Sequence, residues 1–196
     1  MSTKTPAPTK DLKSMLRNPF GIALVAYYLL MAIVGMLVPD DILKSHEWAR
    51  EFSDFMAGIV PQIDRVTALN IKPDVNRFYF SVLWAGSPVS IYLCLSVIWR
   101  GRENANATMW RMPLKSAVIW CFGCLAIVCG AQFGYWMTNT ANRQLLLLLS
   151  SDLGRGFWGS AVYVHGTSIF AAIVILMIFG WLTGYIPRNI ERSSNV

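Results

Sequence analysis

An all-α fold that crosses a membrane several times is predicted by three features of this 196-residue sequence. Charged residues make up 14% of it against 55% hydrophobic, where an ordinary soluble domain carries roughly a quarter charged. The apolar residues gather into four long blocks instead of recurring at the intervals of a soluble helix or strand. Every Asp, Glu, Lys and Arg lies outside those blocks. The expectation is one membrane domain over 20–186 made of four transmembrane helices. A basic segment, 1–19, precedes it and a short tail, 187–196, follows.

The first block, 20–38, holds 19 uncharged residues, and at about 1.5 Å per residue it reaches roughly 29 Å, enough to cross a hydrocarbon core. Lys10, Lys13 and Arg17 before it imitate a signal peptide. The block is too long for the usual h-region, however, and ends in Val38-Pro39-Asp40 with no small-x-small site, so it reads as a span.

The next segment, 39–77, opens with an amphipathic helix. Trp48, Phe52, Phe55, Met56 and Ile59 recur at helical spacing, with Lys44, Glu47, Arg50, Glu51 and Asp54 on the other face. Asp40 or Asp41 is placed to cap its start and Gly58 with Pro61 to end it. Such a helix lies in the interface, docks on the bundle, or offers a surface to a partner. Gln62 to Arg77 reads as an ordered polar loop closing on the second span.

The second block, 78–99, contains Pro88, which predicts a kink and a freed carbonyl. The third, 116–137, carries Cys121, Cys124, Cys129 and Gly130-x-x-x-Gly134. Cys121-Phe-Gly-Cys124 is formally a C-x-x-C, but among apolar neighbours inside a span its thiols are expected to pack. Between the third and fourth blocks, 138–161, five leucines (Leu145 to Leu149) are too few to cross and form an interfacial helix or plug. Gly154, Gly156 and Gly159, with Phe157 and Trp158, supply a flexible turn into the last block, 162–186, which holds His165 and Gly180-x-x-x-Gly184. The paired glycines permit close helix approach, and Gln132 can hydrogen-bond across helices.

Orientation follows from Lys and Arg. Residues 1–19 and 100–115 carry four each and the tail carries Arg188 and Arg192, whereas 39–77 has five against seven Asp and Glu, and 138–161 only Arg143, Arg155 and Asp152. Both termini are expected on the cytoplasmic side. The net charge of +6 then reports topology and attraction to anionic headgroups, and no nucleic-acid partner is implied.

No Asp, Glu, Lys or Arg sits inside a block, so an autonomous ion-coupled carrier or proton pump is not expected. The single intramembrane histidine, His165, is one short of a bis-histidine haem site and reads as a helix–helix hydrogen-bonding group. No disulfide framework, ATP-binding loop or hydrolase motif is present, and the sequon at Asn106 falls in the cytoplasmic loop. The sequence therefore predicts no enzyme activity, no cofactor and no metal, and leaves binding as the function.

One resemblance bears on that function. Pro61-Gln-Ile63, Val66-Thr-Ala-Leu69, Pro73-Asp-Val75 and Ser87-Pro88-Val89, in a four-span chain with both ends inside, look like the immunity proteins against pore-forming colicins of the colicin A type. It covers about 30 residues and the topology. The resemblance implies a bacterial inner-membrane protein whose spans meet the hydrophobic hairpin of a membrane-inserted toxin by helix–helix recognition. The residues expected to face that partner are Gly130, Gln132, Gly134, Gly180 and Gly184 in the spans, and Asp64, Arg65 and Asp74 outside them. The alternative is an accessory or assembly subunit of a secretion, conjugation or respiratory membrane complex. A lipid- or quinone-handling enzyme using a groove near Pro88 and His165 is a third reading.

Overall fold

The computed structural model describes residues 18–68, 72–100, 113–132, 150–159 and 166–183, and every regular element among them is helical. Helix α1, Pro19–Leu37, begins with Pro at its first position and with the Asn18 side chain accepting the Phe20 N–H at 3.1 Å, the two favoured ways of dealing with orphan N–H groups at a helix start. Large apolar side chains stay exposed around it, Ile22, Leu30 and Leu37 among them, while Gly21, Ala32 and Gly35 are buried. A helix that is apolar all round and buries only its smallest residues is suited to lipid.

A group of short helices follows. These are α2, Ile42–Ser45, α3, Glu47–Ile59, and α4, Gln62–Ala68, all packed around α5, Pro73–Ala85. Their shared core holds Met56, Ala57, Val60, Ile63, Val66, Tyr79, Phe80 and Leu83, with Met31 and Val34 of α1 against it. The stretch expected to be a polar loop is thus mostly helix. The reason lies in Ile63 and Val66, which are fully buried against α5 and supply the apolar stripe that a polar composition concealed.

The amphipathic helix forms, but neither Asp40 nor Asp41 caps it. Asp41 precedes α2 and makes no side-chain cap, and His46 stands before α3. Its buried side is Ala49, Ser53, Met56 and Ala57, whereas Trp48, Phe55 and Ile59 are exposed. The small residues win because they let α3 approach α5 closely.

After α5 the chain bends by 44° into α6, Ser87–Arg100. Pro88 has no N–H for the Trp84 carbonyl, and the break falls where that bond would have been. Helix α7, Leu114–Gln132, then α8, Asp152–Gly154, and α9, Gly166–Leu182, complete the described elements. Helices α1 and α7 are long and apolar enough to cross a membrane, the bent pair α5 and α6 makes a third if taken as one span, and α9 is apolar over 17 residues. They form a row in which α1 packs on α6, α6 on α9 and α9 on α7.

Candidate functional site

Two regions stand out, one at the Leu37 end of α1 and one on the flank formed by α7. At the first, Arg155 is fully buried. Its Nε donates to the Gly35 carbonyl at 2.8 Å and its NH2 group to Asp152 Oδ1 at 2.8 Å. The partner choice follows from the sequence: the Gly35 carbonyl lies four residues before Pro39, which has no N–H to give it. Arg155 supplies the missing donor and places a cation on the negative end of the α1 dipole.

Lys72 extends the network, reaching Asp40 at 2.9 Å and Asp152 at 3.5 Å. Two cations alternate with two carboxylates, so the cluster is neutral. The hydrogen bond from Arg155 holds the Asp152 carboxyl below its usual range, and the bond to Asp40 raises the Lys72 ammonium above its own.

The backbone around this junction is pressed tight. Tyr79 Oη shares its one proton between the Met31 and Gly156 carbonyls, at 3.1 and 3.2 Å. A Cβ at Gly35 would lie 2.5 Å from the Tyr79 ring, and one at Gly156 would lie 2.5 Å from the Ala32 carbonyl. Residues 155–159 wind in a wide π-type turn, anchored where Tyr28 Oη donates to the Phe157 carbonyl at 3.0 Å. The glycine-rich turn, expected to be flexible, is a packed wedge. Gly156 is required there for close approach.

Of the extramembrane residues expected to meet a partner, Asp64 pairs with Arg77 at 3.1 Å, and the same guanidinium holds Asp54 at 2.9 Å. Asp74 lies 3.8 Å from Lys44, and Arg65 is half-buried in the last turn of α4. Arg77 therefore ties α3 and α4 to α5. Beside it, Trp84 Nε1 donates to Gln62 Oε1 at 2.6 Å.

At the bend, Tyr27 Oη donates to the Gly86 carbonyl at 2.8 Å, so α1 braces the break in the neighbouring helix. Pro88 itself is exposed. At the far end of α6 the Arg100 guanidinium lies over the Phe20 ring at 4.5 Å, a cation–π contact that sets the start of α1 beside the end of α6.

The α7 flank is built on small residues. Ala117, Cys124 and Ala131, spaced by seven, are buried, and on α9 Ser168, Ala172, Leu176 and Gly180 make an i+4 ridge that is also buried. Gly130 is buried and Gln132 half-buried at the end of α7. Gly134, Gly184 and His165 lie outside the described residues. The alanine and cysteine seam was not singled out from sequence, although its heptad spacing is visible there.

Cys121 Sγ lies 3.8 Å from Met177 Sδ, and the described cysteines are free thiols. A wholly apolar cavity of about 290 Å³ opens between Cys121 and Phe122 on one side and Met177 and Trp181 on the other. Val118, Ile119, Trp120, Phe122 and Leu125 of α7 are exposed. Among the described residues no group of three or more His, Cys, Asp or Glu is placed to hold a metal ion.

Comparisons with protein families, curated proteins and solved structures find no match.

Proposed function

We propose that this chain is a non-catalytic, multi-pass protein of a bacterial inner membrane that acts by recognising a partner within the bilayer. Its four apolar blocks cross the membrane and both termini face the cytoplasm. The observation that carries the reading is the one-sided packing of α7. One seam of small residues holds it to α9, and on the side away from that seam Ile119 and Phe122 are exposed. A helix held at the end of a row, with large apolar side chains turned outward, is arranged to accept another helix.

The side-by-side ends of α1 and α6 support the orientation, since Phe20 and Arg100 meet at what the Lys and Arg distribution makes the cytoplasmic side. In this arrangement Gly180 serves the α7–α9 seam, and the salt-bridged Asp64 and Asp74 keep the group of short helices α2 to α5, the cap, in shape.

The specific form of recognition we propose is immunity to a pore-forming bacteriocin. The toxin's hydrophobic hairpin would pack on the α7 face and be held from opening a pore. Expression in a colicin-sensitive strain, challenged with a panel of pore-forming colicins, tests it. Protection against one or more members is expected, and unchanged killing by the whole panel removes the reading.

The same open flank fits an accessory subunit of a larger envelope complex. Purification in mild detergent separates the two: stoichiometric companion subunits favour assembly, and a lone monomer or homodimer favours the toxin-binding form.

A further inference from the structure

Helix α3 has three faces where an amphipathic helix needs two. At about 100° per residue, Ala49, Ser53, Met56 and Ala57 share the arc that docks on α5. Glu47, Arg50, Glu51 and Asp54 share a second arc, all of them exposed. Trp48, Phe55 and Ile59 fall within about 40° of one another on a third, and they are 58%, 67% and 52% exposed.

Charge on one side and a buried core on the other leave this third stripe unexplained by folding in water. Depth explains it. The cluster containing Met56, Ala57 and Val60 packs against Met31 and Val34 of α1, and the cluster containing Ile42, Leu43 and Ala49 packs against Val38. Met31 lies six residues before the end of α1, about 9 Å along its axis. The cap is therefore set beside the last turns of the helix and not beyond them. Only four residues, 38–41, join α1 to α2, which holds the cap at that level.

We propose that α3 is an interfacial helix whose Trp48, Phe55 and Ile59 stripe enters the lipid leaflet at the Leu37 end of α1. The occupant of this face is phospholipid. Helices of this kind sink about 5–10 Å into the boundary between headgroups and acyl chains, the depth at which the cap lies, and Trp48 is the residue type concentrated there. Glu47, Arg50, Glu51 and Asp54 then face water and headgroups. Leu37 and Ile33 of α1 are exposed at the same end of that helix. The inference rests on α1 crossing a membrane, and it adds that the cap is itself a lipid-binding element.

The test is depth-dependent quenching of an environment-sensitive fluorophore in phosphatidylcholine–phosphatidylglycerol nanodiscs, with and without lipids brominated near the glycerol end of the chains. The full chain, with its native cysteines replaced by alanine, is labelled at Phe55→Cys, Glu51→Cys or Ile33→Cys. The expected result is blue-shifted, strongly quenched emission at 55 and 33, with wet, unquenched emission at 51. Quenching at 33 but not at 55 overturns the interfacial helix while leaving the span intact, and assigns the stripe to a protein partner. Quenching at neither overturns the span as well. Should the cysteine replacements prevent folding, Trp48→Phe in the native background gives the same answer. Brominated lipid must quench less of the tryptophan emission in the variant than in the parent, and an unchanged quenched fraction counts against the proposal.

Discussion

Arg155 shows how a single residue can depend on features far from it in sequence. A fully buried guanidinium is costly unless its charge and its donors are met; here Asp152 meets the charge and Gly35 accepts from Nε, while Nη1 is buried without a hydrogen-bond partner among the described residues. Arg155→Ala should lower stability by about 2 kcal/mol, the scale of a charge-assisted hydrogen bond lost from a buried site. Arg155→Lys should recover little, because an ammonium lacks the fork that reaches both partners. Thermal unfolding in detergent measures both.

The pH dependence of the same cluster follows from its two shifted groups. Asp152, with its folded pKa lowered, contributes fully above its unfolded value of about 4 and loses that contribution as pH falls through the lower folded value. Lys72, with its folded pKa raised, contributes fully below its unfolded value of about 10.4 and loses that as pH rises through the higher folded value. Stability due to this network should therefore be flat through neutrality. A midpoint that climbs or falls steeply between about pH 6 and 9 would contradict the assignment. None of this was legible in the sequence, where Arg155 counts only as a loop charge. What places it is Pro39, four residues past Gly35 and 116 before Arg155, a relation that only tertiary structure can close.

At the scale of elements the sequence is a better guide. The first span was expected at 20–38 and is helical at Pro19–Leu37, because a long uncharged block bounded by Pro19 and Pro39 leaves little freedom. The bend expected from Pro88 is present, since a missing N–H acts locally whatever surrounds it. Tyr27→Phe should cost about 1 kcal/mol, one hydrogen bond to the Gly86 carbonyl, read as a lower unfolding temperature with the fold retained.

The docking face of α3 was less visible. Pattern reading weighs large apolar residues most heavily, and tertiary packing instead chose Ala49, Ser53 and Ala57. The cap depends on Arg77, which holds Asp54 and Asp64 together. Those carboxylates are well exposed, so Arg77→Ala should cost only about 1 kcal/mol. Hydrogen exchange should quicken in α3 and α4 while α7 and α9 keep their protection. Uniform loosening throughout the chain would show that the cap is not a separate unit.

For the whole molecule, the order of packing matters more than the number of helices. The row α1, α6, α9, α7 leaves α7 at an end, and hydropathy, which counts blocks, has no access to that order. Composition does predict where charge sits: among the described residues the ion pairs lie in and around the cap, formed by Asp40, Lys44, Asp54, Asp64, Lys72, Asp74, Arg77, Asp152 and Arg155, together with the Glu47–Arg50 pair on α3. With these ion pairs gathered at one end, the exposed side of α7 carries large apolar residues and no ion pair among the described residues.

The direct measurement is survival of colicin-sensitive cells carrying either the parent chain or a variant with Ile119→Ala and Phe122→Ala. Both side chains are exposed in the structure, so the variant should insert and accumulate like the parent. The account predicts that the parent protects against at least one pore-forming colicin and that the variant, at equal abundance in the membrane, loses that protection. Equal protection by both, or none by the parent, would contradict recognition through the α7 face.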